Sequence, residues 1–152
     1  MVITIGSIFG FISGLLTTLG LILSNTTAKF TINQIILVLI SLAISDGLSD
    51  ALGIYFGNYK ETGDIKDSIF EGGKTLLFKV SIPCLVALLF FMIQNVKLAN
   101  NITLGLTFIL IIMINIFIFD DLQLRIINMV IFFIIVMTNN YIGEKFTFKK
   151  KR

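Results

Sequence analysis

Apolar stretches of helix length, separated by a few polar residues, make up most of this chain. No charged residue precedes Lys29, and the first stretch predicts a helix over 2–24. Asn25, Thr26, Thr27 and Lys29 form a short polar turn. The second stretch predicts a helix over 32–59 that carries Asp46 and Asp50 inside it. At 1.5 Å per residue it reaches roughly 40 Å, more than the hydrocarbon core of a bilayer, so one end protrudes or the helix tilts. Residues 60–79 are the one substantial hydrophilic stretch, and with Gly63 and Gly72–Gly73 as breakers they read as a polar loop. Three further helices follow over 80–96 (Pro83 near its start), 102–119 and 124–142, and a basic tail occupies 145–152.

Each stretch is close to the roughly 20 apolar residues that one crossing needs, and backbone polar groups in hydrocarbon must be paired within the segment. The pattern therefore predicts an all-α integral membrane protein with five transmembrane helices, organised as one membrane domain over 1–152. Composition agrees. The 152 residues are 56% hydrophobic and 14% charged, with a mean hydropathy of +0.97. Soluble domains run nearer 45–50% apolar and about 25% charged. The first helix lacks the basic flank and the small-residue cleavage site of a signal peptide, and reads as a retained span.

Histidine is absent and Cys84 is the only cysteine. This removes histidine-based triads, zinc sites of His and Cys, and any intrachain disulfide. No catalytic constellation is present, no cofactor is expected, and the chain does not read as an enzyme. The net charge of +3 gathers in Lys149, Lys150, Lys151 and Arg152, which suits anionic lipid headgroups better than nucleic acid. Counted over the two faces of a five-helix bundle, Lys and Arg divide five against seven, which leaves orientation open. The identity of the membrane is likewise open.

Candidate chemistry begins with Asp46 and Asp50. Four residues apart, they share one helix face, which Gly53 and Gly57 continue, while Ser41, Ser45 and Ser49 line the adjacent one. A carboxylate inside a bilayer costs at least about 2.5–3.5 kcal/mol, so such a pair should face a water path, a cation, a partner group or the headgroups. Gly6, Gly10 and Gly14 have the spacing that lets membrane helices approach closely, either within the chain or between copies. Glu61, Asp64, Asp67 and Glu71 would share one side of a helix and could form a site for a hard cation, although the interspersed lysines favour a solvated charged loop. Asn115 and Asn128 are expected to hydrogen-bond across the bundle.

The stretches 10–20 (GFISGLLTTLG) and 43–53 (AISDGLSDALG) resemble the vacuolar iron transporter family, in particular its short and mostly uncharacterised branch. Residues 75–79 (TLLFK) and 136–143 (VMTNNYIG) follow the same pattern more loosely. The resemblance implies a five-helix protomer, a homodimer, and a pore between first and second helices that carries Fe²⁺ or Mn²⁺ in exchange for protons. Two pore positions differ: Ser13 stands where the transporting members have an aspartate, and Asp50 where they have a methionine. The family's metal-binding domain between helices two and three is reduced to 60–79.

Two expectations follow. The first is a homodimeric divalent-cation transporter with Asp46, Asp50, Ser49 and Ser13 along its path. Four carboxylates about the two-fold axis would favour Fe²⁺ or Mn²⁺ over softer ions. The second is a non-transporting membrane protein of the same fold, whose aspartates and glycines serve assembly or partner binding.

Overall fold

The computed structural model describes the backbone of residues 4–27, 29–118 and 121–146, and the side chains of these except 25–27, 135–136, 139–140 and 142–146. Five helices follow one another: α1 Ile5–Thr27, α2 Ile32–Thr62, α3 Ile65–Ile93, α4 Val96–Ile118 and α5 Leu122–Phe146. The protein is all-α, and α1 to α4 are each long and apolar enough to cross a membrane. In α5 the described apolar part is Leu122–Ile134. This is the pattern of a multi-pass membrane protein. The outer surface fits it: Leu37, Ile44, Leu48, Leu52, Leu85, Phe91, Phe117 and Phe133 are all exposed.

The expected polar loop over 60–79 is not a loop. Helix α2 runs on to Thr62, and α3 begins at Ile65, so only Gly63 and Asp64 separate them. Gly63 takes φ 70°, a left-handed conformation that costs glycine little, and its N–H bonds back to the Tyr59 carbonyl. Asp64 then caps α3 by accepting from the backbone N–H groups of Lys66 and Asp67 at 2.8 and 3.2 Å. Thr31 and Gln34 close a capping box at the other end of α2. Gly72 is not a breaker either. A Cβ there would come within 2.8 Å of the Ala51 carbonyl, so the glycine marks where α3 lies against α2.

At 31 and 29 residues, α2 and α3 are about 46 and 44 Å long, well beyond the roughly 30 Å of hydrocarbon. Their excess is the charged hairpin end around 58–67. The third helix thus starts fifteen residues before the expected 80, and Pro83 lies inside it. Proline cannot donate to the carbonyl four residues back, that of Lys79. Gly14 of α1 packs against that same carbonyl.

Helices α1 and α3 run parallel and meet on the glycine stripe. A Cβ on Gly6 would meet Glu71 and Thr75, one on Gly10 would lie 2.5 Å from the Thr75 carbonyl, and one on Gly14 would lie 3.1 Å from the Lys79 carbonyl. Thr75, fully buried, donates to the Gly6 and Glu71 carbonyls at 3.1 and 3.0 Å. Gly6, Gly10 and Gly14 therefore serve packing within the chain. Two apolar clusters fill the rest of the core. Ile22, Ile35, Leu39, Ala87, Phe90 and Ala99 join α1 to α4 at one end, and Leu15, Leu19, Ile82, Ile111 and Phe132 bring in α5. Asn128 donates to Asn115 at 3.0 Å, and Asn115 donates to the Arg125 carbonyl at 3.1 Å, so the expected amide link ties α4 to α5. The tail from 147 onward lies outside the described residues.

The glycine contact generates a stability prediction. Gly10→Leu must push α1 off α3 and should destabilise the folded protein by about 1–3 kcal/mol, the usual range for overpacking. Gly73→Leu, where an added Cβ has open space, should leave stability unchanged. Thermal unfolding of both variants in detergent checks this. Equal melting temperatures for Gly10→Leu and the wild type would remove the close contact from the account.

Candidate functional site

The α2–α3 hairpin and the parallel α1 bring five polar side chains together halfway along their helices. Lys79 is the midpoint of α3, Asp46 lies near the middle of α2, and Asp50 is one turn further on. Ser13 and Thr17 come from the same level of α1. The Lys79 ammonium lies 2.7 Å from Asp46 Oδ2, donates to Ser13 Oγ at 2.7 Å, and forms a second, closer ion pair with Asp50 Oδ2. Ser13 in turn donates to Asp50 Oδ2 at 2.9 Å, and Thr17 donates to Asp46 Oδ2 at 3.1 Å. An ammonium has three N–H groups, and three oxygens face this one.

Burial divides the cluster into an inside and an outside. The Lys79 side chain is 3% exposed, whereas Asp46 and Asp50 are 33% and 22% exposed. All contacts to the two carboxylates are made at Oδ2. Among the described residues no hydrogen bond reaches either Oδ1. With all three groups ionised the cluster has one net negative charge, two carboxylates against one ammonium. In low dielectric their attraction offsets much of the cost of burying them, provided every member stays paired.

The sequence-predicted residues separate accordingly. Asp46, Asp50 and Ser13 are in the cluster. Ser49 lies on the exposed face of α2 and makes no contact with it. Gly53 and Gly57 continue the aspartate face with open space around them. The proposed cation site of Glu61, Asp64, Asp67 and Glu71 does not assemble. Asp64 caps α3; Asp67 accepts from Asn58 at 2.8 Å; Glu71 accepts from the Gly6 backbone N–H at 2.8 Å and pairs with Lys74 at 3.5 Å. Glu61, Asp67 and Glu71 flank an open recess of about 520 Å³ floored by Gly53 and Gly57, but among the described residues no three carboxylate or thiol groups converge as metal ligands. The physical reason is the helix start at Ile65: it turns the carboxylates to capping and to pairing along α3 instead of leaving them in a free loop.

Two residues of the cluster were missed in the sequence. Thr17 is a neutral hydroxyl that no spacing in the sequence singles out. Lys79 falls at the edge of the expected loop over 60–79, among the charges expected outside the membrane. Its signal is its setting, a lone lysine between Leu76–Leu77–Phe78 and Val80, which suits a helix interior better than a loop end.

Comparison of the chain with protein-family models, with curated proteins and with solved structures found no match.

Removing one member of a buried ion cluster leaves the others without a counter-charge. Lys79→Ala should therefore cost about 3 kcal/mol of stability, the lower part of the usual range because both aspartates keep some solvent. Adding Asp46→Asn and Asp50→Asn should recover most of the loss, since a neutral set no longer repels itself. Chemical or thermal unfolding in detergent reads both. A Lys79→Ala protein as stable as the wild type would show that the ammonium is not answering the carboxylates.

Proposed function

We propose that the chain is a cation transporter of the bilayer, carrying Fe²⁺ or Mn²⁺ in exchange for protons, with Asp46 and Asp50 as the ion-binding carboxylates. The observation that supports it is the pair of carboxylates one turn apart on one face of mid-α2, each still partly exposed beside a buried ammonium. Hard oxygen donors suit small divalent ions. Ser13, bonded to Asp50, and Thr17, bonded to Asp46, orient the carboxylates from α1.

In this reading α5 is the fifth crossing, and a second copy of the chain applies its own α2 to the same face. Two protomers would bring four carboxylates to the axis. The likeness of 10–20 and 43–53 to the vacuolar iron transporters supports the same assignment on residues alone.

The alternative reading is a structural clamp that holds α1, α2 and α3 for assembly or partner binding without transport. One observation favours it: Lys79 already answers both aspartates, and it sits where a cation would.

Flux into proteoliposomes separates the two. The purified wild type should take up Mn²⁺ or Fe²⁺. Asp50→Asn keeps size and hydrogen bonding but not charge, and it should abolish uptake while leaving the protein folded. Asp46→Asn should weaken uptake and blunt its dependence on a pH gradient. Flux that survives both changes together would remove the site from the account, and absence of flux for every divalent ion would favour the clamp.

A further inference from the structure

Transport by Asp46 and Asp50 does not by itself call for a lysine, and a lysine in the middle of a membrane helix is costly to insert. Lys79 nevertheless stands between the two carboxylates, 3% exposed, with its ammonium taking the Oδ2 of each. That is the place a bound cation would occupy from the inner side.

We infer that Lys79 is a tethered competitor for the transported ion. The ammonium and the cargo occupy the carboxylate pair in turn, so cargo binding opens the α2–α3 ion pair and re-engagement of Lys79 expels the cargo. The inference rests on the cation-transport reading and adds to it the residue that sets affinity and release.

Charge and geometry carry the argument. With Lys79 engaged, two carboxylates and one ammonium leave one negative charge. A divalent ion added to that set makes it positive and lies against the ammonium in low dielectric, where repulsion between like charges is strong. With Lys79 withdrawn, the same ion and the two carboxylates are neutral. The divalent ion and the engaged ammonium therefore exclude one another.

The groups facing Lys79 are Asp46 and Asp50 from α2 and Ser13 from α1, and the one ionisable residue of α4, Lys97, is in that helix's first turn. Lysine carries its charge on a flexible four-carbon stem, so it can leave its partners without moving α3. The hairpin has other contacts to hold it meanwhile: Gly47 lies against Val80 and Leu76, and Gly72 against Ala51.

The test is Mn²⁺ binding to the full chain in detergent, followed by electron paramagnetic resonance of the free ion. Lys79→Gln keeps two hydrogen-bond donors near the carboxylates and loses the charge. It should bind Mn²⁺ about tenfold more tightly or better, because apparent affinity is reduced by the fraction of protein in which the site is occupied by its competitor. Lys79→Arg, which keeps the charge, should show no tightening. Mn²⁺ should also raise the melting temperature of Lys79→Gln more than that of the wild type. If Lys79→Gln alone does not fold, the comparison moves to the Asp46→Asn background, where adding Lys79→Gln should tighten binding relative to Asp46→Asn. Equal or weaker Mn²⁺ binding on loss of the lysine charge, in a protein whose wild type does bind, overturns the competitor while leaving transport in place. Absence of Mn²⁺ binding in the wild type and in every Lys79→Gln background overturns both.

Discussion

Lys79 places a positive charge at the midpoint of α3, and the rest of α1, α2 and α3 is arranged so that this charge is answered. Asp46 and Asp50 lie one turn apart on α2, so both carboxylates reach the same ammonium. Ser13 and Thr17 on α1 take one carboxylate each. Loss of the ammonium would leave two carboxylates unanswered in a medium that solvates them poorly. The cluster thus fixes the relative height of three helices, something that apolar packing, with its tolerance for sliding, specifies weakly.

That answer requires short distances, and glycine supplies them. A serine on α1 can reach a lysine on α3 only if the two backbones lie close together, which Gly10 and Gly14 permit beside Thr75 and Lys79. Gly47 and Gly72 do the same between α2 and α3, on the same turns of helix as the aspartates and Thr75. Pro83 adds a further element. It leaves the Lys79 carbonyl without its usual helical donor, at the place where Gly14 comes nearest. Polar pairing and small-residue packing are therefore one arrangement here: the first needs proximity, and the second provides it.

The number of helices and the start of α2 are legible in the sequence because apolar run length is a direct record of what lipid requires. The hairpin over 60–79 is not. Its residues are charged, and two glycines suggested a break, whereas Gly63 alone makes the turn and Gly72 serves close packing. The charge belongs to the part of α2 and α3 that is longer than the hydrocarbon core. Read as a loop, that stretch puts Lys79 at its edge and hides the counter-charge of the two aspartates. Asp46 and Asp50 were legible because i, i+4 spacing needs no tertiary knowledge. Their partner lies about thirty positions along the chain, where only the fold could bring it to them.

The polar groups of the remaining helices show a different economy. Asn115 and Asn128 link α4 to α5 through neutral amides, and Thr103 and Thr107 are buried on α4, with Thr103 donating to the Ala99 carbonyl at 2.8 Å. Neutral hydrogen bonds of this kind are worth about 1 kcal/mol or less in a membrane, and a neutral group left unpaired costs far less than a charge. A pair of helices that only needs to stay packed can be held this way. Charges are a more demanding means of holding helices, since every member must be matched, and apolar residues of similar volume often do as well. The ion cluster here sits in the middle of α2 and α3, with hydroxyls from α1, and its two carboxylates stay 33% and 22% exposed; that opening is what holding helices alone leaves unexplained and what binding a cation would use.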